Sequence, residues 1–246
     1  MGQEEYLKCL KEIKEILDKN SIGFWLAYGT LLGFAKNGKM LKGDDDIDIG
    51  IWRESIKDKH IKKKLTEDFE KIGFSLYFFW NAMYIDRKNL SIGVTLYNTD
   101  KNKKEIVVDR YRKNNAIAFF LFKMFRLSRS EYYGKFRFDK KDGIRFALKI
   151  NMLKLMHYLP DKYKKYIYKV PYLILSPFQK TTLYYLKFPE RYFRKFKEVD
   201  YYGMKVKIPL LAEKYLEKDY GKDWMIPPKD LSKLFWWEHG EWKKVK

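Results

Sequence analysis

The chain is poor in the residues that staple or interrupt a fold: its 246 residues include one cysteine, three histidines, 7 prolines and 14 glycines. A single thiol, Cys9, excludes an internal disulfide framework and any cysteine-rich zinc module, and suits a reducing compartment. Cys9 falls on the apolar side of the first helical pattern, which predicts buried filler rather than a nucleophile. Scarce proline and glycine, set against 20 Tyr, 18 Phe and 7 Trp, exclude collagen-like, linker-like and low-complexity chains. No apolar run exceeds the seven residues Ala116 to Phe122, far below the ~20 that cross a bilayer. The opening MGQEEYLKCLKEI lacks the basic-then-apolar layout of a secretory signal and reads as the start of a charged helix, so export is not indicated.

What is present is a core and an uneven charge. At 46% hydrophobic, the chain is long enough for one compact domain, or one domain with an appended lobe. The net charge is +20. Residues 1–110 carry 20 Lys and Arg against 18 Asp and Glu, whereas residues 111–246 carry 32 against 14. Such a lopsided field favours an anionic partner: nucleic acid, an acidic membrane surface or a phosphorylated substrate. The blander alternative is a lysine-rich solvated surface.

Leu7, Leu10, Ile13, Ile16 and Leu17 recur at helical spacing between Glu4 and Asn20. IGFWLAY (22–28) then reads as a short strand, Gly29-Thr30 as a tight turn and LLGFAK as a short helix. In DDDIDIGIW, Ile47, Ile49 and Ile51 alternate with Asp46, Asp48 and Gly50 as in a half-buried strand. A basic helix over 55–71 and β-prone segments at 74–79, 82–86, 90–97 and 105–111 predict a mixed or antiparallel sheet. Beyond Asn115 aromatic and basic residues alternate at helical spacing to about Lys197, with prolines as breaks. The closing stretch predicts a strand, a helix ending near Gly221 and a Trp/Pro-rich tail.

The chemistry concentrates in Asp44, Asp45, Asp46, Ile47, Asp48. Four carboxylates within five residues repel one another unless cations share the site. An exposed acidic turn would be the ordinary explanation. The interleaved isoleucines instead place Asp46 and Asp48 on one face of a strand whose other face is core. Two carboxylates on a rigid strand suit Mg2+ or Mn2+, hard cations that keep phosphate oxygens in their remaining positions. The Gly29-Thr30 turn, at the start of a helix, would offer backbone N–H groups and a hydroxyl to a phosphate. A Gly-Thr turn followed some 16 residues later by Asp-x-Asp reproduces the order of parts of the nucleotidyltransferase superfamily.

FWLAYGTLLGFAKNGKMLKGDDDIDIGIW resembles the signature of the LicD family, which includes bacterial phosphocholine transferases and the animal proteins fukutin and fukutin-related protein. YYGMKVKIPLLAEKYLEKDYGKDWMIPP is similar to that family's closing segment. The two stretches bracket residues 22–228, and the middle, roughly 113–197, has no counterpart. The resemblance implies an α/β, nucleotidyltransferase-like fold, a mixed sheet flanked by helices with an added basic, aromatic helical region. It divides the chain into a catalytic core at 1–112, that helical region at 113–200 and a C-terminal segment, 201–246, packing back on the core.

The resemblance further implies metal-dependent transfer of a phosphoalcohol from a CDP-activated donor, CDP-choline first, to a hydroxyl of a cell-surface or lipid-linked glycan. Asp44, Asp46 and Asp48 are its catalytic residues, Asp46 and Asp48 its metal ligands, and Gly29, Thr30 and Lys36 its substrate-binding positions. Gly43 departs from the pattern, where many members carry Trp. So does Ile92-Gly93-Val94, where the family often has an Asp, leaving Asp86 or Asp109 as the substitute third acid. In FWWEHGEW the rings around His239, beside Glu238 and Glu241, could cage a quaternary ammonium; core packing of a tail is the plainer account. His60 and His157 carry no expected catalytic part. The other readings are a ribitol- or glycerol-phosphate transferase, a nucleotidyltransferase acting on RNA, and an inactive module that binds anionic lipid or nucleic acid. No recognised RNA-binding motif is present. The expected location is cytoplasmic and peripheral, on the inner face of the membrane, with helices of 115–197 on the anionic leaflet.

Overall fold

The computed structural model describes residues 3–41, 47–79, 82–87, 90–100, 102–111, 183–226, 236–238 and 241–243, and positions 131, 133, 151, 155, 158–160, 162, 163, 166, 167, 169, 170 and 173. At 90, 91, 109–111, 183–185, 236–238 and 241–243 it describes the backbone alone. It is a mixed α/β fold. Helix α1 (Gln3–Lys19) buries Leu10, Ile13 and Leu17, with Glu4 and Glu5 in its first turn and Lys19 in its last, charges that suit the helix dipole. Then come β1 (Phe24–Leu26), α2 (Tyr28–Asn37), β2 (Asp48–Trp52), α3 (Lys59–Lys71), β3 (Ser75–Phe78), β4 (Ala82–Arg87), β5 (Leu90–Asp100) and β6 (Glu105–Tyr111).

The sheet runs β1-β2-β5-β4-β3, with β2 and β5 parallel and the other neighbours antiparallel. Because side chains alternate across a strand, one face is apolar: Ile49, Ile51, Ile92, Val94, Met83, Ile85 and Leu76 are all wholly buried. Helix α1 lies on that face. Arg87, at the end of β4, meets Glu12 of α1 at 2.6 Å, donates to Cys9 Sγ at 2.7 Å and lies 4.0 Å from the centre of the Phe74 ring. Cys9 is the buried packing residue its spacing predicted, and burial pushes its thiol up.

Helix α3 begins at Asp58, whose side chain accepts from His60 N. It is tied to the end of α1 by the buried Asp68, which accepts from Asn20 Nδ2 at 3.1 Å and from Lys19 Nζ and Lys71 Nζ at 3.0 Å each. The Asn20 bond, outweighing burial, together with the lysines holds the Asp68 carboxyl well below the usual range.

The C-terminal part returns to this sheet. Strand β7 (Leu183–Pro189) pairs antiparallel with β6, a 3-10 turn (Glu190–Tyr192) follows, and β8 (Phe196–Tyr201) forms a hairpin with β9 (Met204–Pro209). Helix α4 (Ala212–Tyr220) ends at Gly221, as expected, and packs against α2. Strands β10 (Trp236–Glu238) and β11 (Glu241–Lys243) pair with each other. The helical reading to Lys197 needs correction: from Leu183 to Lys197 the chain is strand, one 3-10 turn and the start of a second strand. The boundary at residue 200 also falls inside the β8–β9 hairpin. Positions 151, 155, 158, 162, 163, 166, 167, 169, 170 and 173 are helical, as their spacing predicted. Ala116 to Phe122, His157 and His239 lie outside the described residues. Among the described residues, no helix is long and apolar enough to cross a membrane.

Candidate active site

The turn between β1 and α2 is clasped to the first residue of β2. Antiparallel pairing sets Leu26 opposite Ile49, so the chain leaving β1 passes over Asp48. Ala27 N donates to Asp48 O at 3.0 Å, Gly29 N to the carboxylate Oδ2 of Asp48 at 2.9 Å, and Asp48 N to the Thr30 hydroxyl at 2.8 Å. A carboxylate that accepts an amide in the first turn of a helix lies where the dipole favours negative charge. Thr30 is buried, and Tyr6 Oη of α1 lies 3.4 Å from its hydroxyl. Tyr28 is held at φ 41, a left-handed conformation that costs a bulky residue energy and persists only where its surroundings impose it.

One of those surroundings is α4. Tyr28 N lies 3.5 Å from the Tyr215 hydroxyl, which is 3.0 Å from that of Tyr97 on β5. Tyr215 is wholly buried, and burial pushes its phenol well above the ordinary value, so the ring stays neutral and hydrogen-bonding. The chain leaving α2 is fixed in a similar way. Gly38 takes the left-handed conformation at φ 67, and the backbone folds back so closely that a Cβ at Gly33 would stand 2.6 Å from Lys39 O. Met40 N then donates to the Tyr202 hydroxyl at 3.0 Å. The β1–α2 turn and the chain leaving α2 are therefore both anchored by the C-terminal part of the chain.

The face of the sheet that carries Asp48 is divided. Register sets Asp48 opposite Gly93 of β5, and Gly93 opposite Tyr84 of β4. A Cβ built on Gly93 meets nothing within 4 Å, whereas one on Gly50, next along this face, would stand 2.6 Å from the Trp25 ring and 2.8 Å from Tyr97. The Gly50 end is filled by rings: Trp25 lies 5.0 Å, centre to centre, from Trp52, Tyr97 and Phe196. At the Asp48–Gly93 end, Asp48, Gly93 and Tyr84 are half-buried.

Asp44, Asp45 and Asp46 lie outside the described residues, as does Gly43, so Asp48 is the acid of that stretch whose setting is described. The Gly29 amide and the Thr30 hydroxyl, expected to meet a phosphate, are both engaged with Asp48. Lys36 sits in the last turn of α2, about 10 Å along the axis from Gly29 at 1.5 Å per residue. It is partly buried, which pulls its ammonium down. The expectation that Asp86 or Asp109 lies on the strand next to Asp48 is corrected by the pairing. β2 has β1 and β5 as neighbours; Asp86 is on β4, beyond β5, and Asp109 is on β6, opposite Tyr185. Asp86 does share the Asp48 face, two positions along from Tyr84. Among the described residues no three His, Cys, Asp or Glu side chains converge as a cation site. The half-buried Asp48 carboxylate is an oxygen donor of the kind a hard cation takes.

Sequence reasoning missed Tyr215, Tyr97 and Tyr202, whose hydroxyls brace the site across long separations. The signal available was their place in or near the closing segment and β5. It also missed the demand for glycine at 33 and 50.

Residues 21–140 match the model of the LicD/FKTN/FKRP nucleotidyltransferase domain. An uncharacterized protein of Rickettsia typhi is 28% identical over 132 residues, covering 52% of this chain and 41% of that protein. One of Rickettsia prowazekii is 31% identical over 96 residues, covering 39% of this chain and 34% of that protein. The chain thus spans well under half the length of these relatives. Among solved structures, the antibiotic-resistance factor ANT(2'')-Ia in solution aligns with 72% of this chain and 96% of its own at a TM-score of 0.35 and 10% identity. Its crystal complex with adenylyl-2''-tobramycin covers 71% and 99% at 0.32 and 10%. Likenesses this distant bear on neither substrate nor mechanism.

Proposed function

We propose that this chain, which belongs to the LicD family through its nucleotidyltransferase domain at residues 21–140, transfers a phosphoalcohol from a CDP-activated donor to a hydroxyl of a glycan. Phosphocholine is the favoured group, and a cell-surface or lipid-linked glycan the acceptor. The observation that carries the reading is the clasp of Gly29 and Thr30 on Asp48 beside the open position Gly93, inside the span that matches the family.

In this reading the acceptor oxygen attacks the phosphorus that bears the alcohol. The bond from that phosphorus to the bridging oxygen breaks, CMP leaves, and the acceptor proton passes to a carboxylate, for which Asp44 is the candidate. Asp48, with Asp46, would hold Mg2+ or Mn2+, which when bound supplies charge neutralisation on the diphosphate. Gly29 and Thr30 act one step back: they fix the Asp48 carboxylate and backbone before substrate arrives, so little reorganisation is needed during transfer. Lys36, in the last turn of α2, is the candidate to pair with a phosphate.

A second reading has one observation in its favour. Gly93 leaves the cross-strand neighbour of Asp48 without a carboxylate, as an inactive module would. Mass spectrometry of the surface glycan from source cells with and without the gene separates the two. Loss of phosphocholine supports the proposal, loss of ribitol- or glycerol-phosphate redirects it to that donor, and an unchanged glycan favours the inactive module.

A further inference from the structure

The described helical positions between 162 and 173 carry an unusual surface. Tyr163, Tyr166, Val170 and Leu173 are 50%, 53%, 50% and 70% exposed. Their sequence spacing of three, four and three is that of one helical face at about 100° per residue. Single exposed apolar residues are ordinary, whereas an exposed stripe marks a contact surface. Ile167, about 40° from Tyr163 and so beside the stripe, is half-buried. The preceding helical positions repeat the pattern, with Leu155 at 61% and Tyr158 at 77% exposed, three residues apart.

Charge lines the same surface. Lys162 and Lys169 are exposed and fall at the border of the stripe, and Lys162 Nζ lies 4.9 Å from the centre of the Tyr163 ring. Residues 151–175 contain five lysines and a single acid, Asp161. An apolar stripe edged by lysines, with tyrosines that have an apolar body and a wet tip, is the composition of an interfacial helix rather than a spanning one. A second copy of this chain is a poor occupant, because each copy brings a net charge of +20 to the contact. Duplex nucleic acid would leave the apolar stripe in water.

We propose that the stripe of Tyr163, Tyr166, Val170 and Leu173, with Lys162 and Lys169 at its edge, docks this protein on an anionic lipid bilayer. The rings and aliphatic side chains enter the headgroup boundary, and the lysines pair with lipid phosphates. The inference is independent of the transfer reaction, since it rests on residues outside the candidate active site and the family match.

Co-sedimentation of the full chain with vesicles tests it. Three forms of the protein are compared: wild type, the triple variant Tyr166→Ser, Val170→Ser, Leu173→Ser, and the double variant Lys162→Gln, Lys169→Gln. Circular dichroism and melting temperature establish that the variants fold, as they should with exposed positions. Wild type is expected to pellet with phosphatidylglycerol-containing vesicles at low salt, to remain in the supernatant with phosphatidylcholine vesicles, and to be released by salt. The triple variant should lose binding by about tenfold or more, and the double variant should bind less and respond less to salt. Equal recovery of wild type in the supernatant with both vesicles overturns the proposal. Full binding by the triple variant overturns it too, because attachment would then belong to the lysine surface alone. So would a concentration-dependent dimer that the triple variant abolishes, or displacement of bound protein by single-stranded oligonucleotide.

Discussion

Asp48 and Gly93 stand opposite each other on adjacent parallel strands, one with a carboxylate and the other with no side chain and open space above it. Gly93→Asp should therefore fit. Without metal the new carboxylate repels Asp48, so its melting temperature should fall below that of Gly93→Ala. With Mn2+ the order should reverse, since a ligand that binds only the folded form raises the melting point. Thermal melts of both variants with and without Mn2+ check this, and an identical metal response in the two would place the cation elsewhere.

Replacing Asp48 separates charge from hydrogen bonding. Asp48→Asn keeps an oxygen for Gly29 N and should retain stability within about 1 kcal/mol while transfer is lost. Asp48→Ala leaves that amide without its acceptor and should cost about 1–3 kcal/mol in addition. Denaturant unfolding and activity, measured on both, read the two effects apart. Wild-type turnover by Asp48→Asn in saturating Mg2+ would exclude this carboxylate from the reaction.

The Thr30 hydroxyl is the partner of the Asp48 amide, so its role is structural at the residue that matters. Thr30→Ser should be nearly silent. Thr30→Val keeps the shape but orphans a buried donor, at about 1–3 kcal/mol, and should depress the rate beyond what the loss of folded protein explains. The comparison of kcat per folded molecule with stability decides it.

Asp68 makes stability depend on pH in acid. Its folded pKa is lowered, so its contribution is complete above the unfolded value of about 3.9 and is lost as pH falls below it. Asp68→Asn should thus be less stable than wild type at neutral pH, with the gap closing as pH drops from about 5 toward 2. Urea midpoints across that range measure it, and a gap that stays constant would mean the carboxyl is not held as an anion between α1 and α3.

Much of the sheet was legible because its strands announce themselves one at a time. The segments at 74–79, 82–86, 90–97 and 105–111 became β3 to β6, their alternating Ile, Val and Tyr separated by polar turns. Leu183–Pro189 was not legible. LYYLKFP has aromatic and basic residues that serve a helix face or a strand equally well, and pairing with β6 decides the matter. At the site, Gly29, Thr30 and Asp48, picked out by the order of parts, lie within hydrogen-bond reach of one another. What they do there was hidden, because hydrogen bonds joining a turn to a strand 18 and 19 residues later leave no trace in local spacing. The absence of an acid at Gly93 was visible in the sequence, but the remoteness of Asp86 and Asp109 from β2 follows only from strand order.

The most direct test of the central claim is the melting temperature of wild type and Asp48→Asn with CDP-choline, CDP-ribitol and CDP-glycerol, each with and without Mg2+. Wild type should be stabilised by one of these donors only when Mg2+ is present, and Asp48→Asn should show no such gain. A donor that stabilises both proteins equally, or that does so without the metal, or the absence of a shift with all three, would contradict metal-dependent use of a CDP-activated alcohol at Asp48.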